Sequence, residues 1–255
     1  MTSQTRKPSS ILITGASSGI GAALALSYAE SGTTLFLSGR NQARLLEIAA
    51  ACEEKGANVH TQDLDVTDKD GMANWLQDAD AQKPLDLAIA NAGISGSSNA
   101  QNDITSRSIF ATNIDGVLNT ILPIIPKMIS RQSGQIALMS SLAGFRGLPS
   151  VPAYSASKAA VRSYGEALRG SLNKDGIKVS VICPGFVESR ITDANSFYMP
   201  FLMKAPKAAR IIKNGLAKDK ARIAFHFCLY AMTWLMMALP TMIIDPIIKS
   251  LPKKE

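Results

Sequence analysis

Short apolar runs alternate with longer amphipathic stretches along the 255-residue chain. A run of four to eight apolar residues is typical of a buried strand, and apolar residues three or four apart are typical of a helix. The runs predict strands at 10–14, 34–38, 58–62, 85–90, 135–139, 178–183 and 222–227. The stretches between them predict helices at 20–31, 41–55, 68–79, 104–131, 152–174, 205–218 and 229–249. This alternation predicts an α/β fold with a parallel sheet and helices on both faces. Pro123 and Pro126 should kink or interrupt the helix at 104–131.

A glycine-rich turn follows the first predicted strand. Gly15, Gly19 and Gly21 stand between the apolar run at 11–13 and a helical pattern at 22–30. Glycines let the backbone turn tightly and approach a pyrophosphate, which sits at the helix N-terminus where free N–H groups favour anions. The strand, glycines and helix occur in the order that this motif requires. The sequence therefore predicts a phosphate-binding turn.

A second motif pairs Tyr154 with Lys158, four residues apart on one face of a predicted helix. A phenol has a pKa of ~10, and a neighbouring ammonium should lower that pKa towards neutrality. Ser141, at the end of an apolar run, can hydrogen-bond a substrate oxygen. Tyr154 would donate a proton to that oxygen, or accept one, as a hydride moves on or off the carbon. With the phosphate-binding turn, this group predicts an oxidoreductase.

Over residues 9 to 190 the order and spacing of the motifs resemble the classical short-chain dehydrogenase/reductase (SDR) family. The motifs are Thr14-Gly-x-x-x-Gly-Ile-Gly21, Asn91-Ala-Gly93, Asn113, Ser141, Tyr154-x-x-x-Lys158 and Pro184-Gly185. The resemblance implies a Rossmann-type, doubly wound, parallel sheet of seven strands and a nicotinamide dinucleotide cofactor. It also implies a proton relay whose catalytic residues are Asn113, Ser141, Tyr154 and Lys158.

The resemblance further implies which residues contact the dinucleotide. Asn91 would flank the adenosine half and Asp65 would contact the adenine, while Asn113 would hold a water in the relay. Lys158 would bind the nicotinamide ribose and lower the pKa of the tyrosine. Pro184 and Gly185 would form the turn under the nicotinamide ring, and Val187 would offer backbone groups to the carboxamide. The predicted cofactor-binding residues are Gly15, Ser17, Ser18, Gly19, Ile20, Gly21, Arg40, Asp65, Val66, Asn91, Ala92, Gly93, Tyr154, Lys158, Pro184, Gly185 and Val187.

The end of the second predicted strand favours NADP(H) over NAD(H). An acidic residue there binds a free ribose 2′-hydroxyl, whereas an arginine accommodates a 2′-phosphate. Gly39 occupies the place of the acid, and Arg40 follows it. The alternative is that Arg40 only caps the start of a helix.

Basic charge is concentrated near the C-terminus. Residues 201–255 hold ten Lys and Arg against three Asp and Glu, which accounts for the whole net charge of +7. Residues 223–244 contain no Asp, Glu, Lys or Arg. Three interpretations stay open: a buried subunit interface or pocket lid, a membrane-surface anchor through 204–254, and a membrane span. The span is the least favoured, because Pro240 leaves an apolar helix shorter than the ~20 residues that a bilayer requires.

The segment after Gly185 should select the substrate. Its apolar cluster suggests a pocket for a hydrophobic acyl, steroid-like or lipid-linked compound, or a lid that packs on itself; the cluster is Phe197, Tyr198, Met199, Phe201, Leu202 and Met203. A polar loop at 95–102 could border the pocket mouth. We expect one domain over 1–255, with a cofactor and catalytic core at 1–190, a lid at 190–220 and an apolar, basic helical extension at 228–255.

Other features argue against further cofactors and partners. Cys52, Cys183 and Cys228 have no metal-binding spacing and are expected to be buried, and His60 and His226 are the only histidines. No nucleic-acid-binding motif occurs. The polar first nine residues do not resemble a secretory signal, so we expect a cytoplasmic protein, at the inner face of the membrane if the extension is an anchor.

The sequence thus predicts an NADP(H)-dependent enzyme that interconverts a ketone and a secondary alcohol on a hydrophobic substrate. By resemblance, the helices at 104–131 and 152–174 should pair with those of a second subunit, in a homodimer or homotetramer. Two alternatives stay open: a non-catalytic dinucleotide-binding sensor or scaffold, and a membrane-associated reductase subunit of an envelope lipid or polysaccharide pathway. A 3-oxoacyl-carrier-protein reductase is not favoured, because the C-terminal segment does not resemble the usual tail of those enzymes.

Overall fold

The structure, a computed structural model, describes residues 7–96, 103–193 and 198–249. Seven strands form one parallel sheet in the order β3-β2-β1-β4-β5-β6-β7. The strands are β1 (Ser10–Thr14), β2 (Thr34–Gly39), β3 (Asn58–Asp63), β4 (Leu87–Ala90), β5 (Gly134–Met139), β6 (Ile177–Pro184) and β7 (Arg222–Phe225). The strand order reverses between β1 and β4, and open α/β sheets bind ligands at the carboxyl ends of the strands beside such a reversal.

Helices cover both faces of this sheet. They are α1 (Gly19–Tyr28), α2 (Gln42–Glu53), α3 (Lys69–Gln82), α4 (Asp103–Phe110), α5 (Gly116–Ile121), α6 (Ile125–Ser130), α7 (Pro152–Leu172), α8 (Arg190–Asp193), α9 (Ala205–Ala217), α10 (Phe227–Ala238) and α11 (Thr241–Lys249). Successive strand residues point to opposite faces, so Ile11 and Ile13 pack among side chains of α1, α2 and α9, whereas Leu12 packs among those of α3, α5 and α7. The predicted Rossmann-type fold is confirmed.

The helix predicted at 104–131 is not continuous. It consists of α4, a π-helical turn at Ala111–Asp115, α5, a break at 122–124, and α6. Pro123 lies in the break and Pro126 lies in the first turn of α6, where its missing amide hydrogen costs no hydrogen bond. The predicted interruption is therefore confirmed, and the single long helix is wrong.

The same stretch, Ile104–Ser130, is the only one among the described residues that is long and apolar enough to cross a membrane by composition. Its apolar side chains have another explanation, because Val117, Ile121, Ile124 and Met128 are buried in the cluster between these helices and the sheet.

The C-terminal elements differ in their bounds from the prediction. The last strand ends at Phe225, not at residue 227, and α10 begins at Phe227. The helix predicted at 229–249 divides at Leu239 and Pro240 into α10 and α11. Cys52 and Cys183 are buried as predicted, but Cys228 is exposed on α10, because only a narrow side of this helix faces the protein.

Candidate functional site

A cavity of about 1540 Å³ opens at the carboxyl ends of the strands. Residues at the ends of the first six strands line it, namely Gly15, Gly39, Leu64, Asn91, Ser140 and Gly185. All predicted site residues line this cavity except Gly21 and Asn113. The topology therefore brings into one space motifs that lie far apart in the sequence.

The glycine turn supports a close approach of backbone to a ligand. Gly15 and Gly19 have φ of +68° and +55°, a region that side chains rarely adopt. A Cβ atom on Gly15 would lie 2.8 Å from the Cα of Ala92. Gly21 packs α1 onto the turn, since a Cβ there would collide with the Gly15 carbonyl oxygen. The Ser18 side chain caps no amide at the start of α1, which leaves that helix terminus suited to an anion.

Asn91 ties the glycine turn to the neighbouring strand. Its Nδ2 donates to the carbonyl oxygens of Thr14 at 2.9 Å and Gly15 at 3.3 Å. The backbone N–H groups of Asn91 and Ala92 both donate to Thr14 Oγ1, at 3.1 and 3.2 Å. These four bonds fix the end of β4 against the turn after β1.

Ser141, Tyr154 and Lys158 meet where β5 ends and α7 begins. Ser141 Oγ accepts from the Ala143 N–H at 3.1 Å and hydrogen-bonds the Tyr154 hydroxyl. Lys158 is buried one helical turn after Tyr154, with Nζ 5.8 Å from the centre of the tyrosine ring. Its Nζ donates to the Met139 carbonyl oxygen at 2.9 Å. A phenol, a hydroxyl and an amine thus share one wall of the cavity.

The titration of these groups differs from the prediction. Burial raises the pKa of Tyr154 above its ordinary value, and the hydrogen bond with Ser141 only partly offsets this effect. Burial also lowers the pKa of Lys158 to about 8. The predicted lowering of the tyrosine pKa by Lys158 is therefore wrong for the chain by itself. A phenol with a raised pKa stays protonated at neutral pH and is suited to donating a proton.

The buried lysine should make stability depend on pH. Because its pKa falls from 10.5 to about 8 on folding, the unfolded chain binds the proton more tightly between these values. The free energy of unfolding of the wild type, minus that of Lys158→Met, should therefore rise by roughly 3 kcal/mol as the pH increases through this window. Urea unfolding at several pH values measures this difference. Exposed Lys174→Met is the control, and a flat difference for Lys158→Met would contradict the argument.

Asn113 lies behind the cavity wall and not on it. It is fully buried in the π-helical turn, and its Oδ1 accepts from the Ile94 N–H at 2.8 Å. Its Nδ2 donates to the Ile94 carbonyl oxygen at 2.9 Å and to Ser157 Oγ at 3.0 Å. Ser157 in turn donates to the Tyr154 carbonyl oxygen at 2.8 Å. Asn113 therefore connects the segment after β4 with the first turn of α7. Ser157 is not among the residues predicted from the sequence, although it lies inside the Tyr-Ser-Ala-Ser-Lys motif.

Two arginines line the corner of the cavity beyond β2. Arg40 Nη1 lies 3.4 Å from Asp65 Oδ2, and Arg44 follows one helical turn later on α2. Burial alone would raise the pKa of Asp65, but hydrogen bonds from Thr67 and the charge of Arg40 hold it below its ordinary value. The cap of α2 is Asn41, whose Oδ1 accepts from the Arg44 N–H at 3.0 Å, so Arg40 is not a helix cap. Arg44 is not among the residues predicted from the sequence, where only its helical spacing from Arg40 indicates it.

One wall of the cavity, here called the apolar wall, comes mainly from the C-terminal helices. Side chains of α10, α11 and their link line it, together with two from the segments after β5 and β6, namely Leu142, Phe186, Leu229, Met232, Leu235, Met236, Leu239 and Ile244. Of the predicted apolar cluster, Tyr198 lines the cavity, Met203 is buried, and Phe201 and Leu202 are exposed. Phe197 lies outside the described residues, as do residues 97–102 of the predicted polar loop, whereas Ser95 lines the cavity.

Solved structures share this fold. A short-chain dehydrogenase from Sphingobium yanoikuyae in complex with NADPH is similar over 96% of this chain and 97% of its own, at 23% identity and a TM-score of 0.79. A short-chain dehydrogenase from Mycobacterium paratuberculosis bound to NAD is similar over 84% of this chain and 94% of its own, at 24% identity and a TM-score of 0.74. At these identities, the likeness establishes the fold alone.

Sequence comparison establishes the family. The family of short chain dehydrogenases matches residues 9–197. An uncharacterized oxidoreductase of Myxococcus xanthus is 38% identical over 237 residues, which are 92% of this chain and 94% of that protein. The family match at residues 9–197 spans the glycine turn, the Tyr154–Lys158 pair and the first six strands. The chain belongs to the short-chain dehydrogenase family of oxidoreductases.

Proposed function

We propose that this oxidoreductase uses NADP(H) to interconvert a ketone and a secondary alcohol on a large apolar substrate. The observation that carries the proposal is the continuity of the cavity. It runs from the Arg40–Arg44 corner, past Tyr154 and Lys158, to the apolar wall of α10 and α11. Its volume of about 1540 Å³ exceeds the 300–1,000 Å³ or so of an ordinary ligand pocket, as a site for a dinucleotide and a substrate together must.

The residues of the cavity fit a dinucleotide with a 2′-phosphate. The positive φ of Gly15 and Gly19, with the start of α1, suits the pyrophosphate. Gly39 provides no carboxylate to repel a 2′-phosphate, and the guanidinium groups of Arg40 and Arg44 supply charged donors for it. Since the fold itself occurs with NADPH and with NAD, the preference has to come from these side chains.

The chemistry then divides among three side chains. The bound dinucleotide supplies or accepts the hydride. In the reductive direction, Tyr154 donates its proton to the substrate oxygen, and the Ser141 hydroxyl donates a hydrogen bond to the same oxygen. The charge of Lys158 stabilises the phenolate that proton transfer leaves behind. Asn113 does not touch the reacting atoms in this proposal; it positions Tyr154 through Ser157.

The apolar wall points to the substrate class. Leucine, isoleucine, phenylalanine and methionine side chains surround the space beyond Tyr154, and methionines adapt to flexible ligands. Ketones of acyl, steroid-like or lipid-linked compounds match this surface. Short polar ketones would leave most of the wall in contact with water, so they should react with much lower kcat/KM.

Subunit pairing forms part of the same proposal. The helices α4 and α7 pack against each other, and Ile104 and Phe110 of α4 are exposed. We expect these helices to pair with those of a second copy in a homodimer.

A turnover assay tests the proposal. NADPH and NADH oxidation would be followed with ketones of increasing apolar size: acetone, cyclohexanone, 2-dodecanone and a 3-ketosteroid. We expect kcat/KM to rise along the series and to be at least roughly tenfold higher with NADPH than with NADH, because a charged hydrogen bond contributes about 1.5–3 kcal/mol. Equal kcat/KM with NADH would contradict the cofactor assignment. Tight NADPH binding without turnover would favour the non-catalytic sensor.

A further inference from the structure

Exposed apolar side chains are concentrated in the last quarter of the chain. Ten of the fifteen large hydrophobic side chains exposed among the described residues lie between residues 198 and 243. We call these ten the docking face: Tyr198, Phe201, Leu202, Phe227, Met232, Trp234, Leu235, Met237, Met242 and Ile243. A concentration of this kind marks a surface that another apolar phase covers.

The helix α10 forms the centre of the docking face. Its twelve residues contain no charged side chain, and only Leu229 and Met236, seven residues apart, are buried. Phe227 and Trp234 share the same seven-residue spacing on the opposite, outward side, where they are 79% and 51% exposed. A helix that is apolar all round normally lies in an interior. Here its outer half has no covering in the described chain.

Residues 198–202 and α10 form one continuous surface beside the cavity. The ring of Phe201 lies 5.7 Å from the ring of His226, the residue directly before α10. Tyr198 lines the same cavity as Met232 and Leu235. The exposed side chains before α9 and those on α10 are therefore neighbours in space.

The border of this surface is basic. Lys204 and Lys207 are exposed and line a small depression together with Phe201, Leu202 and His226. The acidic side chains close by are few: Asp245 on α11 pairs with Arg146 at 3.4 Å, and Glu188 lies beside the segment of Met203. The sequence of residues 201–255 has ten cationic side chains against three acidic ones.

We propose that the docking face binds the surface of an anionic lipid bilayer. Apolar side chains would enter the boundary between headgroups and acyl chains, while Lys204 and Lys207 contact anionic headgroups. Trp234 and Tyr198 have the amphipathic rings that favour this boundary. At about 18 Å, α10 is too short to cross a hydrocarbon core of ~30 Å, so it lies in the plane of the surface.

A second copy of this chain fits the face less well. A two-fold contact would bring the same patch against itself, with the basic border of one copy close to that of the other. The sequences of residues 194–197 and 250–255 contain only two large apolar side chains, Phe197 and Leu251, against the ten of the docking face.

Docking through this face would turn the cavity mouth towards the lipid. Met232 and Leu235 belong both to the docking face and to the cavity wall. An apolar ketone dissolved in the bilayer could then enter without crossing water. This entry route rests on the proposed function, whereas the docking itself does not.

Vesicle flotation with the full chain tests the docking. Vesicles of phosphatidylcholine alone are compared with vesicles that also contain phosphatidylglycerol. We expect binding to the mixed vesicles, and at least roughly tenfold weaker partition for Phe227→Ser/Trp234→Ser, because each substitution removes a large apolar side chain that the bilayer would bury. Leu46→Ser is the matched control, since Leu46 is 51% exposed on α2, beside β2 and β3 at the opposite edge of the sheet.

A second pair of variants tests the basic border. Lys204→Gln/Lys207→Gln should bind mixed vesicles roughly 10- to 30-fold more weakly than wild type, because each lysine contributes one attraction to the anionic surface. Lys55→Gln/Lys69→Gln removes the same charge beside β3, at the opposite edge of the sheet, and should bind normally. Wild-type binding by the Lys204/Lys207 variant would overturn the role of the basic border.

Trp234 also reports its own position. The chain has two tryptophans, and Trp75 packs against the core, so Trp75→Phe leaves Trp234 as the only emitter. We expect its emission to shift to the blue and to be quenched by brominated lipids when mixed vesicles are added. Emission that does not change with bound vesicles would overturn the assignment of α10 to the contact.

Two further results would overturn the proposal. One is no binding to either kind of vesicle. The other is a wild-type dimer that binds no vesicles and that dissociates when Phe227→Ser/Trp234→Ser is introduced. That result would identify a second copy as the occupant of the docking face. Calorimetric titration with NADPH separates docking from the proposed function. If the protein binds NADPH but no vesicles, the docking proposal is wrong. If it binds vesicles but no dinucleotide, the proposed function and the entry route are wrong.

Discussion

Replacement of Tyr154 by phenylalanine should lower kcat/KM for ketone reduction by about 10²- to 10⁴-fold, the usual contribution of a positioned proton donor. The substitution removes only the hydroxyl that hydrogen-bonds Ser141. The ring still fills its place on α7, so the fold and the glycine turn should be unaffected. NADPH affinity should therefore stay within about twofold of wild type. Steady-state kinetics and calorimetry measure the two quantities separately.

The same helix offers a matched control for this substitution. Tyr164 lies on α7 as well, packed against the core between the helices and the sheet, and it does not line the cavity. Tyr164→Phe should retain nearly full kcat/KM. If Tyr154→Phe kept more than about a tenth of the wild-type value, the assignment of Tyr154 as the proton donor would be wrong.

Replacement of Arg40 by alanine should weaken NADPH binding by roughly 10- to 100-fold, which corresponds to the loss of a hydrogen bond to a charged group. Its ion pair with Asp65 is exposed and therefore weak, so the guanidinium is readily available to a phosphate. Without Arg40, the Asp65 carboxylate would repel the 2′-phosphate. NADH, which has no 2′-phosphate, should bind about as well to the variant as to wild type.

Two further variants make the Arg40 result specific. Arg210→Ala removes an exposed arginine from α9, outside the cavity, and should leave the affinity for both dinucleotides unchanged. Arg44→Ala should weaken NADPH binding in the same direction as Arg40→Ala, because both arginines line one corner. An equal loss of NADH and NADPH affinity in Arg40→Ala would show that Arg40 supports the site without recognising the 2′-phosphate.

The central part of the fold could be predicted from the sequence, because its strands are buried on both faces. Such strands appear as continuous apolar runs, as β1, β2, β4, β5 and β6 do, whereas β3 is mostly polar and has no buried residue. The bounds of all seven strands were predicted to within two residues. The glycines of the first turn are also visible in the sequence, since their positive φ excludes most other residues. These local signals do not depend on distant contacts.

The missed features depend on tertiary contacts. The π-helical turn at Ala111–Asp115 forms where Asn113 bonds Ile94 and Ser157, and no local pattern announces those partners. The pKa of Tyr154 depends on burial, which outweighs its hydrogen bond, and sequence spacing cannot weigh these two effects. Which apolar side chains of the cluster at 197–203 and of α10 line the cavity, and which are exposed, depends on how these segments pack in the folded chain. Apolar character alone does not tell a wall of the cavity from an outer surface.

The cavity has two separable origins in the chain. The side chains predicted to bind the cofactor and transfer the proton come from residues before 188, whereas most of the apolar wall comes from residues after 228. The two sets are joined by β7 at an edge of the sheet, and Arg146–Asp245 is an ion pair between them. Chimaeras that exchange the chain beyond Phe225 between relatives should therefore transfer ketone preference while keeping the dinucleotide preference of the recipient. Under the proposed function, substitutions in the C-terminal helices would change the substrate without altering the residues proposed to bind the cofactor and transfer the proton.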